Sequence, residues 1–220
     1  MIKSLDQMVG KVLALRKKCS IAVSWAQDPN TIGAIQKAVN DGFAEAIMIG
    51  KSDEIINVCK NTSVDHTLFK IVDSDNEVDA SKEAVRVVKN GEADIVMKGL
   101  VGTDKFLKAV MDKENGLMIP NAVLSYVGAV QLPAYHKLLF ITDTAVIPFP
   151  NLEQKIAMVE YAVEMAARFG IQKPKVALIG ASEKVSHHFP NSLEYSEICK
   201  MAEQGKITNC IIDGPLDIFL

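Results

Sequence analysis

The chain has 220 residues, 49% hydrophobic and 23% charged, an ordinary soluble composition with room for one large domain or two small ones. A net charge of −3 and a pI near 5.8 argue against a basic nucleic-acid surface, and no apolar run reaches the roughly 18–20 residues of a membrane helix. The four cysteines (Cys19, Cys59, Cys199, Cys210) lie far apart, which favours free thiols in a reducing cytoplasm over a disulfide framework or a zinc site.

The N-terminal stretch MIKSLDQMVGKVLALRKKC has the apolar spacing of an amphipathic helix (Leu5, Met8, Val9, Val12, Leu13) and lacks the features of a signal peptide. From there, strand-like and helix-like segments alternate. SIAVSW (20–25) reads as a buried strand and is followed by a helix over about 30–41. AEAIMIG (44–50) is a strand, then SDEIINVCKN a helix opening on Ser52 or Asp53. FKIVD (69–73) is a strand. The next helix presents Val78, Ala84, Val85 and Val88 and stops at Asn90-Gly91. ADIVMKG predicts a strand, and GLVGTDKFLKAVM a turn entering a helix that runs to about residue 114. AVLSYVGAVQL (122–132) and KLLFITD (137–143) read as strands. Residues 151–171 form a long helix ended at Gly170, 175–181 a strand, 191–205 a helix ended by Gly205, and 208–214 a strand.

Such alternation builds an α/β fold with a mostly parallel sheet and helices on both faces. Pro148 and Pro150 place a border between two lobes, 1–149 and 150–220.

In open α/β sheets, ligands sit beyond the carboxyl ends of the strands, where helix N-termini offer free N–H groups to anions. The turn Lys98-Gly99-Leu100-Val101-Gly102-Thr103 is such a place: a cation, two glycines that admit close approach, and a hydroxyl. It can hold a phosphate or carboxylate. The same residues also read as tight-turn glycines, a solvated lysine and a helix N-cap at Thr103. Asp143, closing an apolar strand, reads as a general base or as a strand-end cap. The adjacent pair His187-His188 has no spaced ligand set with it, so no metal is expected. Cys210 reads as core, and Ser182 and Glu183 fit a helix cap as well as a site.

Several blocks, in order, are more specific than any one turn: VMKGLVGTDKFLKAVMDKENGL, VLSYVG, LLFITDTAV, PNLEQKIAMVEYAVEMAARFGIQKPKVALIGASEKV and IIDGPL. Together they resemble the phosphate acetyl/butyryltransferase family, and within it most of all the butyryl-transferring branch, from the AQD at 26–28 onward. The resemblance implies an isocitrate/isopropylmalate dehydrogenase-like fold of two lobes around a cleft, usually as a homodimer. It implies that acyl-CoA and phosphate give acyl phosphate and free CoA, with no metal or redox cofactor. It further implies that the Lys98–Thr103 turn, with Gly99 and Gly102, forms the phosphate-side cradle, that Ser125 stands beside the same cleft, and that Thr103, Ser125 and Asp143 serve the reaction. Partners are then acyl-CoA and phosphate, not nucleic acid or membrane.

Two departures stand against full identity with the family pattern. Where members carry an arginine after Gly116-Leu117, this chain has Met118. The resemblance also implies a stretch after DGPL that completes the second lobe and carries a Ser-Arg…Asp motif; neither has a counterpart here, so lobe 150–220 is expected to be incomplete at its C-terminal end, and Arg16, Arg86 and Arg168 fall in helices. A chain closing on DGPLDIFL looks cut, with Leu220 as the apparent end and open sheet edges favouring association with a second copy. These departures keep a second expectation open, a non-catalytic acyl-CoA- or phosphate-binding module of the same fold. A metal-dependent hydroxyacid dehydrogenase is a distant third.

Overall fold

A computed structural model describes residues 1–217; Leu220 lies outside the described residues. The chain divides into two compact units, one made of Val9–Ala122 and the other of Met1–Met8 with the chain from Val123 onward. Helix α1 (Leu5–Ala14) runs through the border between them.

The unit of Val9–Ala122 is built on four parallel strands in the order β3-β2-β1-β4: β1 (Cys19–Ser24), β2 (Ala44–Gly50), β3 (Lys70–Asp73) and β4 (Ile95–Lys98). Helices α2 (Pro29–Asn40), α3 (Ser52–Asn61), α4 (Glu77–Lys89) and α5 (Thr103–Val110) connect and flank them. The strands are apolar on both faces because both are covered. Val23, Ala46 and Met48 point into one cluster with Ile32, Ile35, Ile55 and Cys59 of α2 and α3. Their strand neighbours Ala22, Ile47 and Ile49 point the other way, against Ala80, Ala84 and Val87 of α4. Strand period two thus divides the core into two layers. Helix starts follow side-chain chemistry: Asp28 accepts from Thr31 N–H to open α2, and Asn76 accepts from Val78 and Asp79 N–H to open α4. Helix α5 stops at Val110, short of the expected residue 114. The Asp112 carboxylate takes the N–H groups of Glu114 and Asn115, and so folds the chain into a turn there.

In the other unit, β5 (Gly128–Val130) and β6 (Leu139–Ile141) form an antiparallel ribbon, and β7 (Lys175–Ile179) and β8 (Ile211–Leu216) a parallel pair. Helices α6 (Leu152–Arg168) and α7 (Pro190–Glu203) pack on that pair through Val159, Val163, Leu178 and Ile198. Asn151 and Gln154 form a reciprocal capping box at the head of α6. At its tail, Gly170 takes a φ of 87° and Ile171 N–H reaches back to Ala166.

The strand expected over 122–132 is hydrogen-bonded only over Gly128–Val130. Tyr126 N–H and the Ser125 hydroxyl are drawn to the Asp143 side chain, so this stretch is withdrawn from the ladder. The compact units divide at Ala122/Val123, whereas the sequence reading puts a border at 149/150. Pro148 and Pro150 do precede α6, but the ribbon before them is tied to the same unit, with Phe140 set edge-on against Phe169 at 5.1 Å.

Candidate functional site

The order β3-β2-β1-β4 places the reversal of strand order between β1 and β4, where open α/β sheets bind ligands. Lys98 closes β4 opposite Ser24, which closes β1. The turn that follows is pinned to the end of β1 by two backbone bonds, from Gly99 N–H to Ser24 and from Leu100 N–H to Trp25, both 2.9 Å. Only glycine fits at 99, because a Cβ there would lie 2.6 Å from the carbonyl oxygens of Ser24 and Trp25. Val101, 1% exposed, anchors the turn in a cluster with Phe106 and Val110 of α5. The result is a rigid turn delivering the chain into α5. Lys98 is exposed, its ammonium 3.2 Å from the Gly99 carbonyl.

The N-cap of α5 is Gly102, and Thr103 is the first helical residue, not the cap expected of it. Gly102 has extended backbone (φ −58°, ψ 136°) and no side chain to accept from the first turn, so the α5 head has no side-chain cap. That leaves the Thr103 hydroxyl uncommitted to capping. Close by stands a group that the sequence reading did not single out. Glu77, from the first turn of α4, accepts from Gly102 N–H at 3.1 Å and from the Lys105 ammonium. Lys105, then Gly102, hold the Glu77 carboxyl below its ordinary range. Its only trace in the sequence is an acidic residue at a helix start, which the helix dipole explains by itself.

Ser125 and Asp143 lie in the other unit and are brought together. The Ser125 hydroxyl donates to Asp143 Oδ2 at 3.0 Å, and Tyr126 N–H donates to the same oxygen. Oδ1 accepts from Ala145 and Val146 N–H, both at 2.8 Å. The Thr142 hydroxyl lies 3.4 Å from that of Ser125. Partial burial pushes the Asp143 carboxyl upward, but the N–H groups of Ala145, Val146 and Tyr126 and the Ser125 hydroxyl outweigh it and hold the group below the usual carboxylate range. Both oxygens are therefore engaged as a cap over two turns, and proton uptake would cost at least one of these bonds. Ser125, with its own proton committed to Asp143, keeps lone pairs to accept a hydrogen bond from a ligand.

His187 and His188 are exposed, and among the described residues no group of three or more His, Cys, Asp or Glu is arranged to hold a metal. No helix among them is long and apolar enough to cross a membrane. Met118 is half-buried. Arg86 is bound to Glu83 and Glu92, and Arg168 to Glu164.

Residues 74–218 match the family described as Phosphate acetyl/butaryl transferase. The chain is 38% identical over 216 residues to a phosphate butyryltransferase of Clostridium acetobutylicum, covering 98% of this chain and 71% of that protein. It is 32% identical over 211 residues to a phosphate acetyltransferase of Thermotoga maritima, covering 96% and 70%. The crystal structure of a branched-chain phosphotransacylase from Enterococcus faecalis superposes with a TM-score of 0.75 at 26% identity, covering 92% of this chain and 70% of that one.

Proposed function

This chain belongs to the phosphate acetyl/butaryl transferase family, and we propose that it transfers a short acyl group, butanoyl or similar, between coenzyme A and inorganic phosphate. The observation that carries the reading is family membership sustained along nearly the whole chain, with phosphate butyryltransferases among its relatives. Relatives of both the butyryl and acetyl type, and a branched-chain phosphotransacylase, share the acyl-phosphate chemistry in their names.

The chemistry assigns work to the two clusters. In the direction of acyl-CoA synthesis, the CoA thiol loses its proton, the thiolate attacks the acyl phosphate carbonyl, and phosphate leaves. The phosphate needs positive potential and donors in both directions. Lys98, Gly99, Gly102 and Thr103 are the residues we assign to it: a cation, a turn that lets backbone approach, and a helix head with an unspent hydroxyl. Ser125 and Asp143 are the pair we assign to the thiol proton: the Ser125 oxygen takes it as the Ser125 hydrogen passes to Asp143 Oδ2, so the carboxylate is the base and the serine the relay. Asp143 also positions Ser125 for that transfer. The transfer changes no oxidation state and its nucleophile is a thiol, so the reading needs no metal or redox cofactor.

The reading extends to an isocitrate/isopropylmalate dehydrogenase-like arrangement, in keeping with parallel strands alternating with helices. It extends to a homodimer, which exposed Phe149, Ile179 and Ile211 favour, and to the cytoplasm, which four free cysteines favour.

Incubation with butanoyl-CoA and phosphate, following free thiol, tests the function. Thiol release that requires both substrates is expected. A second reading, a binding module without turnover, is favoured by Met118 at the expected arginine position and by the engagement of Arg86 and Arg168 in ion pairs. Calorimetric binding of CoA without thiol release would select it, and absence of both binding and turnover would overturn both readings.

A further inference from the structure

The α5 head lacks a side-chain cap, yet an anion of the chain itself already stands there. Glu77 reaches across from α4 to Gly102 N–H and the Lys105 ammonium, two of the donors an incoming anion would use. The pair is at the surface, with side chains 29% and 45% exposed, so solutes reach it. Glu77 does not cap its own helix, because the Asn76 side chain does that. Asp104 is the other carboxylate at this spot: a Cβ on Gly102 would lie 2.8 Å from its Oδ1. Lys98 is the further cation on the turn.

We propose that Glu77 is the resting occupant of the phosphate cradle, and that phosphate displaces it on binding, so that Glu77 sets the affinity for the phosphate substrate. The proposal rests on the reading of Lys98–Thr103 as the phosphate side of the site. Carboxylate and phosphate are both oxyanions that take charge-assisted bonds from backbone N–H and ammonium groups. While Glu77 stays, a phosphate loses Gly102 N–H and Lys105 and meets a like charge beside Asp104. Once Glu77 swings out, both donors turn to the phosphate, whose higher charge binds them more strongly. The displaced side chain moves into water with little desolvation to reverse, because it is already partly exposed. No covalent step is involved, only an exchange of hydrogen-bond acceptor.

Glu77→Gln in the full chain removes the competing charge. Two readouts are needed: KM for inorganic phosphate with butanoyl-CoA saturating, and the rise in Tm caused by inorganic phosphate alone. Releasing a surface ion pair of this kind predicts a phosphate KM about two- to fivefold lower. The KM for butanoyl-CoA stays unchanged, and phosphate raises Tm more than in the wild type. Glu83→Gln, on the same helix and paired with Arg86, changes neither readout. If Glu77→Gln fails to fold, Glu77→Asp, too short to span to Gly102, is expected to shift both readouts in the same direction. An unchanged or higher phosphate KM, or equal phosphate protection of variant and wild type, overturns the displacement of Glu77. Phosphate protection of neither protein overturns instead the phosphate cradle on which it rests.

Discussion

The side-chain amide of Gln27 occupies the space that a Cβ on Gly50 would need: such an atom would lie 2.3 Å from Gln27 Oε1 and 3.2 Å from the backbone nitrogen of Ala26. Gln27 is 7% exposed, and neither its Oε1 nor its Nε2 has a hydrogen-bond partner among the described residues. Buried amides without partners are destabilising. Gly50→Ala is therefore expected to cost ~1–3 kcal/mol, by forcing Gln27 off its place in a closed layer. Gln27→Met, similar in volume and free of polar atoms at its end, is expected to be neutral or to stabilise by up to ~2 kcal/mol. Urea denaturation of the two single variants and the double variant checks this. Strict additivity in that cycle would mean that residues 27 and 50 do not compete for the same space.

Lys155 and Glu194 form an ion pair whose halves differ in burial: the lysine side chain is 6% exposed and the glutamate 34%. Asn191 Oδ1 accepts from the same ammonium at 2.8 Å, and the Tyr195 ring lies 5.6 Å away. Removing a partner costs most when the charge left behind is buried. Glu194→Ala, which strands the buried ammonium, is expected to cost ~3 kcal/mol. Lys155→Met, which strands a carboxylate that water reaches, is expected to cost only ~1 kcal/mol, since its apolar stem fills the same space. The two Tm values decide it, and the reverse order would remove burial as the controlling factor.

Most of the first unit was legible from periodicity. β2 over 44–50 and α3 over 52–61 fall where apolar runs and polar helix starts place them. Legibility failed where side chains compete with backbone. Asp112 ended α5 early, and Asp143 took Tyr126 N–H and Ser125 away from a strand. Neither event has a period, because each depends on a carboxylate meeting particular N–H groups. In the candidate site, the turn, its glycines, Ser125 and Asp143 were each singled out from motifs, whereas the hydrogen bond that pairs Ser125 with Asp143 across 18 positions was not. Nor was the Glu77 contact, since it joins residues 25 positions apart through the packing of α4 on α5. Sequence also assigned the α5 cap to the hydroxyl of Thr103, one residue late, because a glycine with extended backbone serves as the cap without any side-chain signal.

Asp143 supplies the last expectation, which concerns pH. Four donors, from Ser125, Tyr126, Ala145 and Val146, converge on its carboxylate and hold its pKa below the ordinary value in the folded chain. A carboxyl that binds protons less readily when folded adds stability above its unfolded pKa of about 4 and loses it as pH falls through the lower folded value. The wild type is therefore expected to lose this contribution only below about pH 4. Asp143→Asn keeps the shape but turns an NH2 group toward donors, so it is expected to cost ~2 kcal/mol near neutral pH. The gap between variant and wild type should then narrow as the solution is acidified past that point. The Ser125 hydroxyl loses its charged acceptor in the same variant, so thiol release should fall at pH 7 even where the protein remains folded. Activity and denaturation measured on one set of samples from pH 3 to pH 8 separate the two effects. A stability gap that stays constant down to pH 3 would show that these four bonds do not govern the Asp143 ionisation. Full activity in folded Asp143→Asn would remove Asp143 from the positioning of Ser125.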